Sequence, residues 1–120
     1  MKTFVETTAF SRWRRLFLSD EDYAKLQQEL AAAPQRGDVM PGCGGLRKLR
    51  IRDRKRQKGK RGGARVVYLH IPEAGQFLML DVYGKGEKDD LAPAEKRELR
   101  ELSREYRKQV VEAIRKAQHR

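Results

Sequence analysis

Eleven residues between Arg47 and Arg65 are Lys or Arg and only one, Asp53, is acidic, so ten of the chain's eleven net positive charges lie in one segment. The rest of the 120 residues is almost neutral. Charge gathered this tightly and punctuated by Gly59, Gly62 and Gly63 describes a polyanion site. Arg offers a planar fork matched to phosphate oxygens, and Lys is the cation that gives up its proton most readily when like charges crowd it. Other chemistries are poorly served. Two histidines, His70 and His119, and the lone Cys43 cannot assemble a metal set at normal spacing, so neither a metal nor another cofactor is expected. Gly59-Lys60 and Gly84-Lys85 lack the Gly five residues earlier and the following Ser or Thr that a nucleoside triphosphate loop requires.

The elements that must hold these cations can be read from spacing. Thr3 to Glu6 is a short β-prone opening. Ala9, Phe10, Trp13, Leu16 and Phe17 then mark one face of a helix from about Thr8 to Phe17, with the aromatic trio read as core. Ser19, with Asp22 three positions on, caps a second helix whose stripe is Tyr23, Leu26 and Leu30 and which ends before Pro34. Gly37 to Gly45 is a turn-rich connector without regular structure. In the strand Leu46 to Arg52, period two puts Leu49 and Ile51 on a core face and Lys48, Arg50 and Arg52 on the other. Residues 53 to 63 contain no apolar member and form a solvated loop. Arg65 to Ile71 and Gln76 to Tyr83 form an antiparallel pair, the second nearly all apolar and therefore central. After a turn, Pro93 and Glu95 open a long amphipathic helix with Leu99, Leu102, Tyr106, Val110, Ile114 and Ala117 on its packing stripe.

Composition gives 38% apolar and 38% charged residues, with the apolar ones in periodic clusters, so residues 1–120 are expected to fold as one domain. A single cysteine fits a reducing compartment, and Met1 to Glu6 offers no signal-peptide core. No window is apolar enough to span a bilayer, so a soluble, cytoplasmic protein without a membrane partner is expected.

Three strings carry a family resemblance: Gly42-Cys-Gly-Gly-Leu-Arg-Lys48, then Lys58-Gly-Lys-Arg-Gly-Gly-Ala-Arg65 leading into Val-Val-Tyr68, then Tyr83-Gly-Lys85 with Glu87 and Asp90-Leu91. In this order and spacing the chain resembles the RelE/HigB family of bacterial type II toxins, closest to the HigB branch with its two N-terminal helices. The resemblance implies an α+β, RelE-like fold: a small, mostly antiparallel sheet, two N-terminal helices and a C-terminal amphipathic helix. It implies a ribosome-dependent, metal-free endoribonuclease that cuts mRNA in the ribosomal A site and inhibits translation. It also implies a cognate antitoxin, HigA-like with a helix-turn-helix, whose complex with the toxin binds its own operator. A ribosome- or RNA-binding protein without catalysis, and a gyrase inhibitor on the related ParE fold, stand as alternatives.

RNA carries its own nucleophile, the 2′-OH, and grouped Lys and Arg can deprotonate it, stabilise the phosphorane and protonate the leaving 5′-oxygen. Arg65, which matches the family's arginine at the head of this strand, is the expected phosphorane clamp. Lys60 and Lys85 are the acid/base candidates, with their roles exchangeable. Arg47, Lys48, Arg50, Arg52, Arg54, Lys55, Arg56, Lys58, Arg61 and Lys88 are expected to bind RNA or ribosome, Lys48 and Arg50 at the scissile phosphodiester. The RelE branch has an RNA-stacking tyrosine beyond the last strand turn, but Lys88-Asp-Asp-Leu-Ala92 has none. Stacking therefore falls to Tyr83 or Tyr68, each of which has a plainer reading as a core aromatic.

Overall fold

The structure, a computed structural model, describes residues 2–52, 63–86, 88 and 90–119. The expected RNA-binding residues Arg54, Lys55, Arg56, Lys58 and Arg61, and the acid/base candidate Lys60, lie outside the described residues.

Two caps set the N-terminal helices. The Thr7 hydroxyl accepts the Phe10 amide proton at 3.1 Å and donates to the Leu80 carbonyl at 2.7 Å, so one side chain both opens α1 (Thr8–Phe17) and ties it to the sheet. Ser19 accepts from the Asp22 amide at 3.0 Å to open α2 (Asp20–Ala32), whose first-turn acids suit the positive end of the helix dipole. Both helices keep the boundaries that their spacing predicts.

The strands in chain order are β1 (Thr3–Glu6), β2 (Asp38–Val39), β3 (Arg47–Ile51), β4 (Ala64–Ile71) and β5 (Gln76–Gly84). They form one sheet in the order β1-β5-β4-β3-β2, with β1 parallel to β5 and the other pairs antiparallel; β4 is the middle strand, and β5, expected at the centre from its apolar run, is interior but second from the edge. The connector Gly37 to Gly45 is not wholly irregular: Asp38 and Val39 pair with Lys48 and Arg47 as a short edge strand. A 26-residue helix, α3 (Pro93–Gln118), closes the fold. Its cap residue Ala92 has no side-chain acceptor, and the Glu95 carboxylate supplies the bond instead, accepting from the Ala92 amide at 2.9 Å.

Each face of the sheet has its own core. Phe10, Phe17, Tyr23, Leu26 and Leu30 pack against Leu49, Val66, Tyr68, Phe77, Met79 and Val82. On the opposite face Leu99, Tyr106 and Val110 of α3 pack against Val67, Leu69, Ile71, Leu78 and Leu80. Two expectations are corrected here. Trp13 and Leu16 are 45% and 46% exposed, because only the Phe10–Phe17 edge of the α1 stripe meets the sheet. On α3, Leu102 is 47% exposed and Ala117 is exposed, so the packing stripe is covered over only part of its length.

A register shift decides what shares the α3 face. Val67 pairs with Asp81 and Tyr68 with Met79, leaving Leu80 as an extra residue in β5. Alternation therefore changes phase at the bulge: Leu78 and Leu80 belong to the α3 side, Val82 to the α1/α2 side, and Tyr83 returns to the α3 side beside Leu91.

Candidate nucleic-acid interface

Because β3, β4 and β5 are in register at one end, Arg50, Arg65 and Tyr83 are lateral neighbours across three strands. Lys48 lies two residues from Arg50 on the same face of β3. Beyond the end of β5, the Lys85 amide donates to the Gly63 carbonyl at 3.0 Å, which holds that turn against the start of β4. Lys48, Arg50, Arg65 and Lys85, together with Asp38, line a pocket of about 410 Å³. No α3 residue contributes to it. The site is thus the part of the α3-side face that α3 leaves uncovered.

Arg65 is the buried member, 4% exposed, with its guanidinium donating to the Ala64 carbonyl at 3.2 Å. Arg50 opposes it directly on the next strand. Like charges placed opposite one another on a sheet oppose folding, and an anion between them reverses the sign of that term. Lys48 is steadied by Asp90 at 3.2 Å, and Lys96 bonds the other oxygen of the same carboxylate at 3.0 Å. Partial burial works against the Asp90 charge, but bonds from Lys96, the Leu91 amide and Lys48 outweigh it and lower its pKa to about 2. Lys88 bonds Glu95 at 2.6 Å and lowers the pKa of that carboxyl.

Tyr83 lies beneath this charge layer, 3% exposed, with the Lys88 ammonium 5.0 Å from its ring centroid. Burial first, then the Asp90 charge, pushes its pKa up to about 12 against the pull of Arg65. The buried hydroxyl has no hydrogen-bond partner among the described residues. A base needs an open ring face to stack on, and Tyr83 offers none here, which corrects the stacking expectation for this residue. Tyr68 is corrected likewise: fully buried on the other face, it donates to the Pro34 carbonyl at 2.7 Å and accepts from the Gly37 amide at 2.9 Å.

The remaining sequence-predicted residues are dispersed. The Arg47 guanidinium donates to the Gly37 and Gln35 carbonyls at 2.7 and 3.3 Å, so it braces the α2–β2 connector and stays outside the pocket. Arg52 lines a separate cleft with Asp22, Glu29 and Arg36. Lys88 is engaged by Glu95 and Tyr83 at the rim. Sequence reasoning missed Asp38, which reaches the pocket through a two-residue strand, and the Lys48–Asp90–Lys96 bridge. The only signal for either was an acid in the turn before a basic strand or helix.

No protein-family model matches the chain. Among solved structures it is similar to the isolated E. coli RelE toxin, with 17% identity and a TM-score of 0.50, over 85% of this chain and 99% of that one. The fold is RelE-like. A mutant E. coli RelE in the free state (19% identity, TM-score 0.48) aligns over 73% of this chain and 87% of that one. The intact E. coli RelBE toxin-antitoxin complex (20% identity, TM-score 0.48) aligns over 68% and 94%. Among the described residues no helix is long and apolar enough to cross a membrane.

Proposed function

We propose that this chain is the toxin of a type II toxin–antitoxin pair, of the HigB branch, and a ribosome-dependent endoribonuclease that cuts mRNA in the A site without a metal. The observation that carries this reading is the juxtaposition of Arg50 and buried Arg65 on neighbouring strands, with Lys48 and Lys85 at the same pocket. Among the described residues four cations and one acid line the pocket, a set that suits a phosphodiester. The three sequence strings and the RelE-like fold support the choice of RNA and of the ribosome.

In this reading Arg50 and Lys48 hold the scissile phosphodiester, and Arg65 neutralises the charge that builds on the phosphorane oxygens. A lysine, Lys85 or Lys60, takes the 2′-OH proton as its oxygen bonds to phosphorus. The P–O5′ bond breaks, and a second proton transfer caps the leaving oxygen, giving a 2′,3′-cyclic phosphate and a 5′-hydroxyl. Asp90 orients Lys48 through their ion pair. Tyr83, kept protonated by its high pKa, acts only as a donor or as packing beneath Arg65. A cognate antitoxin, HigA-like with a helix-turn-helix, silences the site, and the pair represses its own operator.

The test is toeprinting and 5′-end mapping of a defined message on ribosomes. New ends inside the A-site codon, abolished by Arg65→Ala, are expected. Ends that persist in that variant would remove Arg65 from the chemistry. An Arg65→Ala protein that loses only affinity, with no cutting by the parent, would make the chain a binding module.

A further inference from the structure

Away from the pocket, the charges of α3 are sorted into stripes. At 100° per residue, Lys96, Arg97, Arg100, Arg104, Arg107, Lys108 and Arg115 fall in an arc of about 120°, while Glu98, Glu101, Glu105 and Glu112, with Lys116 as the one cation among them, fall in the adjoining 60° or so. Arg100 and Arg104, and Arg104 and Lys108, are like-charged neighbours at i,i+4, a spacing that opposes helix formation. Among the described residues Arg100, Arg104, Arg107 and Lys108 make no ion pair, although the acidic stripe lies beside them.

The same cations border a groove of about 810 Å³ between α3 and the Gly44 loop. Arg100 donates to the Gly42 carbonyl at 3.3 Å and Arg107 to the His70 carbonyl at 3.4 Å, which fixes both guanidiniums. The buried Arg107 Nε has no hydrogen-bond partner among the described residues. Gly45, at φ 92°, would bring a Cβ within 3.6 Å of the Arg107 guanidinium, so the loop backbone comes close to the groove wall. The stripe also joins the pocket, since Lys96 shares Asp90 with Lys48. From Lys96 to Lys108 it runs about 18 Å.

We propose that this stripe is a second RNA-binding surface, taking the phosphate backbone of a double-helical RNA while the pocket takes the strand to be cut. The second half of that statement rests on the proposed cutting function. A row of cations at steps of about 6 Å along one helix suits a repeating phosphate backbone. The stripe contains no aromatic side chain, and Tyr106, on the apolar side of α3, is engaged by Gln76 at 2.7 Å. Base stacking, the mark of single-strand binding, is therefore absent from this surface. A duplex backbone is read by charge alone.

The experiment measures fluorescence anisotropy of the whole chain on a labelled RNA duplex of about 20 base pairs across a salt series, with mRNA cleavage on ribosomes followed in parallel. Arg100→Gln/Arg104→Gln/Lys108→Gln keeps helix-forming residues, and circular dichroism checks that α3 persists. This triple variant is expected to lose at least tenfold in duplex affinity, with a log–log salt slope shallower by about 2 to 3. Glu101→Gln/Glu105→Gln on the neighbouring stripe is expected to lose none. Duplex affinity within twofold of the parent and an unchanged slope in the triple variant overturn the proposal. So does a triple variant that loses only an acidic protein partner, because the stripe is then a protein surface. A parent chain that binds duplex through the stripe but never cuts message refutes the cutting function and leaves this surface standing.

Discussion

Two tyrosines on opposite faces of the sheet should respond in opposite ways to loss of the hydroxyl. Tyr68 is fully buried and its hydroxyl makes two bonds, to the Pro34 carbonyl at 2.7 Å and from the Gly37 amide at 2.9 Å. Each is worth about 1 kcal/mol net, and Tyr68→Phe also leaves a Gly37 amide that must find water or go unpaired. The loss should therefore be about 2 to 3 kcal/mol, which for a chain this size lowers Tm by about 10 °C. Tyr83 is as deeply placed, but its hydroxyl has no partner among the described residues, so Tyr83→Phe removes a desolvated group and no bond. It should leave stability unchanged or raise it by about 1 kcal/mol. Urea denaturation of both variants and the parent at neutral pH, with equal m-values required, measures the contrast. A Tyr83→Phe protein destabilised as much as Tyr68→Phe would show that the Tyr83 hydroxyl is bonded in solution, and the reasoning from burial would fail.

Three further outcomes follow from local geometry. A Cβ at Gly37 would sit 2.9 Å from Tyr68 Cε1 and 3.2 Å from Arg47 Cβ, so Gly37→Ala should cost about 1 to 3 kcal/mol by denaturant titration; a neutral result would mean that the brace around Tyr68 is loose. Burial first, then nearby cations such as Lys2, holds the His70 pKa below 6.5, so the unfolded chain binds the proton more readily. Stability should therefore be full above pH 6.5 and fall as the solution is acidified below it, with His70→Gln flattening that slope in Tm scans. The folded pKa of Asp90 is depressed to about 2, so its contribution is present above the ordinary carboxyl value near 3.8 and lost as pH falls toward 2. Asp90→Asn should lower stability by less than about 1 kcal/mol at pH 7, because the carboxylate is 46% exposed, and the difference from the parent should shrink below pH 3.8 and disappear only below about pH 2.

The N-terminal helices were legible almost to the residue, because apolar spacing marks α1 and the local signals Ser19 and Pro34 bound α2, whereas the Thr7 cap of α1 emerged only from the structure. The phase of β3 was legible too: Leu49 and Ile51 are buried, Arg50 is exposed and Lys48 half-buried, as alternation demands. Tyr83 was not legible in the same way. Strict alternation from Phe77 and Met79 would send it to the α1/α2 side, and only the extra residue at Leu80 turns it toward Arg65. A bulge depends on the partner strand and leaves little trace in one sequence. Arg47 was misread for a related reason. Its cationic neighbours suggested RNA, but its place opposite Val39 and Tyr68 puts carbonyls within reach. The exposed Trp13 and Leu16 show a further limit, since spacing gives the width of an apolar stripe but not which edge meets the sheet.

The central claim is that the Arg50–Arg65 pair and its two lysines form a phosphate site that cuts RNA on the ribosome. The most direct measurement compares the single-turnover rate of A-site mRNA cleavage by the parent chain, Arg65→Ala and Arg65→Lys under ribosome excess. The alanine variant is predicted to lose at least about a thousandfold, consistent with removal of a preorganised charge at the transition state, and the lysine variant to recover only part because it lacks the bidentate fork. Cleavage within tenfold of the parent in Arg65→Ala, with the protein folded and ribosome-bound, would contradict the account.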